Sequence, residues 1–138
     1  MGVVMSVVLD VAQQDTEGEA LSRSQALADS GLYARLVDDL RGAVLTNGEL
    51  AAITGVKTRQ VQHWVSGAHR PQGEAKDRLL ELHYLIERLS EIYTPEGVDI
   101  WIHSRNRELG GQKPIDLLID GEFEQVLAAI ERLASGAM

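Results

Sequence analysis

The sequence contains no cysteine. That excludes disulfides, thiol chemistry and cysteine-ligated zinc or iron–sulfur sites, and it fits a cytoplasmic protein. It also lacks a long apolar run. Residues 3–11 are interrupted by Ser6 and Asp10, are far too few to span a bilayer, and have no preceding basic residues of the kind that open a secretory signal. Gly2 with Ser6 meets the loose N-myristoylation pattern, although a plain N-terminal tail accounts for the same residues. Basic residues are scarce: 13 Lys and Arg stand against 21 Asp and Glu, a net charge of -8. This argues against a general nucleic-acid coat, because phosphate binding is dominated by Lys and Arg. There is no Walker A loop, no G-x-G-x-x-G and no G-x-S-x-G turn. His63, His69, His83 and His103 fall on different expected elements without the short spacing of a zinc hydrolase. The reading is therefore no enzyme, no cofactor and no metal site.

What is present is the composition of an ordinary globular protein, with 44% hydrophobic and 25% charged residues in a chain of 138. That length suits one compact unit or two small helical units sharing an interface. The charge is unevenly spread. Residues 1–45 carry three Arg and seven acids, residues 46–78 five basic and three acidic residues, and residues 79–138 five basic and eleven acidic ones. The middle segment is thus the positive one, the natural place to look for a phosphate-facing surface.

Residues 1–25 read as a flexible N-terminal segment. From Leu32 the pattern becomes helical: Tyr33, Leu36, Val37, Leu40 and Val44 recur on one face. Thr46 with Glu49 forms a capping-box pattern that predicts a helix over about 48–54, ended by Gly55; a second short helix is expected over 58–66, ended by Gly67. The stretch ELAAITGVKTRQVQHWVSG (residues 49–67) resembles the helix-turn-helix of the Xre and lambda-repressor type. Leu50 and Ala51 fit the first helix, Gly55 and Val56 the turn, and Val61 and Trp64 the inner side of the second helix. Lys57, Arg59, Gln60, Gln62, His63 and Arg70 are then the DNA-binding candidates, since Arg and Gln form paired hydrogen bonds with guanine and adenine edges. The same residues also suit a solvated helix face on a motif kept for packing.

Residues 71–73 separate this module, placed over 26–73, from a long helix over about 74–93 and a C-terminal unit, together 74–138. The long helix has a stripe of Leu79, Leu82, Ile86, Leu89 and Tyr93, widened by Leu80, Leu85 and Ile92, which suits core packing and leaves room for a dimer partner. Thr94 and Pro95 start the next helix. Beyond it, Gly110 and Gly111 permit a sharp reversal, Pro114 opens a helix and Gly121 stops it. Phe123, Val126, Leu127, Ile130 and Leu133 then line one face of a final helix.

The ordered set Trp101, Asn106-Arg107, Leu109-Gly110-Gly111, Pro114, Asp116-Leu117-Leu118, Gly121 and Val126 resembles the toxin-binding domain of the Xre/MbcA/ParS-type antitoxins, the partners of RES-domain toxins. The resemblance implies an all-α antitoxin: a helix-turn-helix module, then a long helix and a C-terminal helical toxin-binding domain. It implies a homodimer or larger complex that inhibits its toxin, an NAD-depleting protein of ADP-ribosyltransferase-like fold, and that represses its own operon by binding operator DNA. It further implies that the C-terminal end reaches into the toxin's active-site cleft. On this chain that end is Ala134 to Met138, with Ser135, Gly136, Ala137 and Met138 as its toxin-binding candidates and Phe123 and Ile130 on the final helix as further ones. Asn106 and Arg107 suit either a scaffold or a toxin contact. The competing reading is a stand-alone DNA-binding regulator.

Overall fold

Helix boundaries in this chain are set by short-range chemistry, and the computed structural model, which describes residues 31–41 and 44–136, shows each device in place. Residues 31–41 are helical and form α1. Thr46 caps α2 (Asn47–Thr54) through a complete capping box, its side chain accepting from Glu49 N while Glu49 reaches back to Thr46 N, and Gly55 ends the helix in the left-handed conformation. α3 (Thr58–Ser66) follows with the predicted bounds and stops at Gly67. α4 (Gly73–Ser90), α5 (Pro95–His103), a 3₁₀ turn (Arg107–Leu109), α6 (Pro114–Ile119) and α7 (Phe123–Ala134) complete the succession. The described part is all-helical, as expected. Readings that fall on residues 1–30, on Ala137 and on Met138 lie outside the described residues.

α4 ends three residues sooner than expected. Pro95 disfavours helical backbone at the residue before it, and Thr94 is accordingly extended, at φ -67 and ψ 166, where its side chain accepts from Gly97 N. The stripe on α4 also runs differently in detail: Leu79, Leu82, Leu85 and Leu89 are buried and Ile86 lies at the edge. Several helices pack on one broad side of α4, so no single heptad seam is selected.

A single hydrophobic core crosses the boundary at residue 73. It joins Val37 of α1, Leu50 and Ile53 of α2 and Trp64 of α3 to Leu82 of α4, Ile102 of α5, Leu118 of α6 and Ile130 of α7. Burying side chains of this size stabilises by about 1.5–3 kcal/mol each, offset by ordering entropy. Arg78 adds a polar pin. Its Nη1 donates to the Ile53 carbonyl in the last turn of α2 at 3.1 Å, and its Nη2 lies 3.0 Å from Glu74. A cation at a helix C-terminus complements the carbonyls left unpaired there. α4 and α7 run side by side in the same direction, Arg78 near Gly121 and Arg88 bonded to Glu131.

Candidate functional site

Two surfaces carry the candidate residues. The first is on α3. Val61 and Trp64 turn inward and are fully buried, which fixes the helix's rotation. Lys57, Arg59, Gln62 and Arg70 are exposed as a result. Gln60 and His63 are only half-exposed. Gln60 borders a cavity of about 680 Å³ beside Trp64, Ala75 and His69. The His63 ring stands edge-on to His69, with centroids 4.6 Å apart, and the His69 backbone N–H donates to the His63 carbonyl at 3.2 Å. Gln60 and His63 flank the buried stripe, so the outward pair on this helix is Arg59 and Gln62, one turn apart.

The second surface is the C-terminal frame. Asn106 organises the reversal. Its side-chain oxygen accepts from Glu108 N at 2.9 Å, its backbone N–H donates to the Gln112 carbonyl at 3.0 Å, and its own carbonyl accepts from Gly111 N at 2.9 Å. Gly110 and Gly111 sit at φ 66 and 81, a conformation that other residues adopt only with strain. Arg105 reinforces the turn by donating to the Gly111 carbonyl at 3.2 Å. Asn106 thus has a scaffold role here, while Arg107 is exposed.

α7 is held against this frame. Ile130 is completely buried and Phe123 is 7% exposed, so the apolar face that carries both is turned into the core. In the packed chain Ile130 is an interior residue that seats α7. Phe123 meets the surface only through a groove it shares with α4. Arg88 donates from Nε and Nη2 to the two carboxylate oxygens of Glu131 at 2.8 and 2.9 Å, and also pairs with Glu91. The paired geometry raises the Arg88 guanidinium pKa and, chiefly through that hydrogen bond, holds Glu131 below the ordinary carboxylate value. Arg132 reaches toward Glu108 of the 3₁₀ turn at 3.7 Å. Past α7, Ser135 and Gly136 are exposed. Ala137 and Met138 lie outside the described residues.

α2 and α5 are joined by a charged cluster that the sequence does not reveal. His103 on α5 has Nε2 2.7 Å from Glu49 Oε2 and Nδ1 2.8 Å from the Asp99 carbonyl and 2.9 Å from its carboxylate. Both ring nitrogens face acceptors, an arrangement satisfied in full only by the doubly protonated ring. Burial pushes the His103 pKa down, but the Asp99 carbonyl and Glu49 carboxylate outweigh it and the value is raised. Burial likewise pushes Glu49 up, and the Thr46 N–H with the His103 ring brings it below its ordinary value. The only sequence signal was Glu49 itself, already explained by the capping box. Among the described residues no group of three or more His, Asp or Glu is placed to hold a metal, and no helix is long and apolar enough to cross a membrane.

The chain is similar to known proteins over most of its length. Residues 90–136, from the end of α4 through α7, match the model of the antitoxin Xre/MbcA/ParS C-terminal toxin-binding domain. A probable mycobacterial cidal antitoxin of Mycobacterium tuberculosis is 40% identical over 104 residues, covering 75% of this chain and 89% of that protein. The mycobacterial cidal antitoxin MbcA of the same species is 37% identical over 105 residues, covering 73% and 93% respectively. A chain of the crystal structure of the M. tuberculosis MbcT–MbcA toxin–antitoxin complex superposes with a TM-score of 0.65 at 36% identity, covering 76% of this chain and 96% of that one. With that likeness running through both the α2–α3 pair and the C-terminal frame, the chain belongs to the Xre/MbcA/ParS antitoxin family.

Proposed function

We propose that this protein is an antitoxin that binds a cognate RES-domain toxin through its C-terminal unit and neutralises it by occluding the NAD site. The observation that carries this reading is the match over residues 90–136 to a toxin-binding domain, on the same stretch that the Asn106 turn and α7 build into one frame. The solved complex of a related antitoxin with its toxin supports the same assignment. The mechanism is steric and needs no catalytic group of this chain. α7, fixed by Ile130 and by the Arg88–Glu131 pair, leaves Ser135 and Gly136 exposed at its end, and the small, uncharged tail that begins there enters the toxin's cleft.

The α2–α3 pair serves a second role in this proposal, as a helix-turn-helix that represses the operon. Arg59 and Gln62 face base edges and Lys57 and Arg70 face phosphates, with two copies of the chain needed to cover two half-sites. The exposure of these residues in the one positive segment of an acidic chain supports it.

Expression of the neighbouring open reading frame alone, with and without this protein, is the deciding experiment. The toxin alone should arrest growth and lower cellular NAD, and co-expression should restore both through a stable complex. A neighbour that neither binds this chain nor alters NAD leaves the stand-alone regulator as the reading.

A further inference from the structure

An apolar groove lies open between α4 and α7. Its cavity is about 390 Å³, floored by Leu85, Phe123 and Leu127, walled by Leu80 and Tyr84, and rimmed by Glu81 and Glu124. Leu80 is 41% and Tyr84 49% exposed, although they stand beside the buried stripe of α4. α7 covers that stripe but not its edge, and the Arg88–Glu131 pair marks where the two helices close together further along. A leucine and a tyrosine left in water beside a phenylalanine floor form an exposed apolar patch of the kind that marks an interaction site.

Charge decides between the occupants. Both charged residues of the lining are carboxylates, and the nearby Arg88 is already paired with Glu131 and Glu91. A second copy related by a twofold axis would set Glu81 and Glu124 of each chain against the same residues of the other. The cavity is also sized for only one or two side chains, too little by itself to form the interface of a stable dimer. The chain's own residues 1–30 include the apolar run 3–11, but they carry five acids and one Arg, the same sign as the rim.

We infer that the α4–α7 groove is a docking site for one or two large apolar side chains, flanked by Lys or Arg, on the surface of the toxin. This rests on the toxin-binding reading above and adds a contact in the first half of α7, at the opposite end of that helix from Ser135 and Gly136. The apolar side chains would supply affinity, and the acidic rim would select the partner and speed its approach.

The test uses the full chain co-expressed with the toxin and compares it with Leu80→Ala/Tyr84→Ala and with Glu81→Lys/Glu124→Lys, all exposed or rim positions. The first variant should weaken the complex at least tenfold. The second should slow association and abolish the decline in association rate with added salt. Wild-type protein that fails to bind the toxin at all removes the antitoxin reading and this inference with it. Wild-type binding that both variants match within twofold removes the inference alone. Unchanged toxin binding with a dimer-to-monomer shift in light scattering would assign the groove to a second copy, and recovery of an unaltered melting temperature only when residues 1–30 are present would assign it to that segment; either result overturns the inference.

Discussion

His103 Nε2 lies 2.7 Å from Glu49 Oε2, which ties α5 to the first turn of α2. Glu49 divides its carboxylate between two tasks: Oε1 accepts from Thr46 N at 2.9 Å to complete the capping box, while Oε2 faces the imidazole. One side chain therefore both starts the α2–α3 pair and fastens it to the C-terminal frame. The sign of its pH dependence follows from the two shifts. His103 is raised above its ordinary 6.5, so its contribution is complete below that value and is lost as pH rises through the folded-state pKa. Glu49 is lowered from 4.5, so its contribution is present above that value and is lost as pH falls through the folded-state pKa. The pair is worth most between those limits. His103→Gln should cost about 1 kcal/mol near pH 6, and the difference from wild type should shrink steadily as pH is raised past 6.5. Thermal melts across pH 5–9 check this; a pH-independent difference would mean that the ring acts by packing alone.

Gly121 stands at φ 83, and a methyl group there would meet Arg78 Nη2 at 3.2 Å. Gly121→Ala should therefore cost about 1–2 kcal/mol from backbone strain, with a further loss if Arg78 must leave the Ile53 carbonyl. Urea unfolding measures it, and a stability equal to wild type would show that the α6–α7 corner relaxes freely.

Ile130 is completely buried, so Ile130→Ala should lower unfolding stability by about 2–5 kcal/mol through cavity formation. Any loss of toxin binding should track that loss of stability. A stable variant that nevertheless fails to bind would return Ile130 to the contact surface.

On α3, Arg59→Ala with Gln62→Ala should weaken operator binding by about 1–3 kcal/mol per lost base contact while leaving toxin binding unchanged. Gel shifts at two salt concentrations are the measurement. Gln60→Ala serves as the comparison, since that side chain is half-buried beside Trp64 and should matter less.

On the proposed reading, removal of residues 135–138 should impair neutralisation yet leave the association state of the free chain unchanged. Growth rescue and light scattering read the two effects separately, and full protection by the shortened chain would take the tail out of the mechanism.

The outline of these helices was legible because their ends are written locally. The Thr46–Glu49 capping box, the Thr94–Pro95 start, the Gly110–Gly111 reversal and the Gly121 stop each involve residues within a few positions of one another. So were the bounds of α3, since Val61 and Trp64 declare its inner face. Less legible was which flank of a stripe becomes solvent. Gln60 and His63 look as outward as Arg59 and Gln62 in sequence, and Leu80 looks as inward as Leu85, until neighbouring helices are in place.

The sequence by itself determined the succession of helices, their caps and the family frame from Trp101 to Val126, because hydrogen bonding over three or four residues and the freedom of glycine and proline do not depend on distant parts of the chain. Only the tertiary structure decided the partnerships of Glu49 with His103, Arg78 with Ile53 and Arg88 with Glu131, which lie 54, 25 and 43 residues apart. Each is a charged group matched to one partner among many of the same kind, and periodicity carries no information about which. The α4–α7 groove has the same origin: it exists because α7, seated by Phe123 and Ile130, covers less of α4 than the apolar stripe extends.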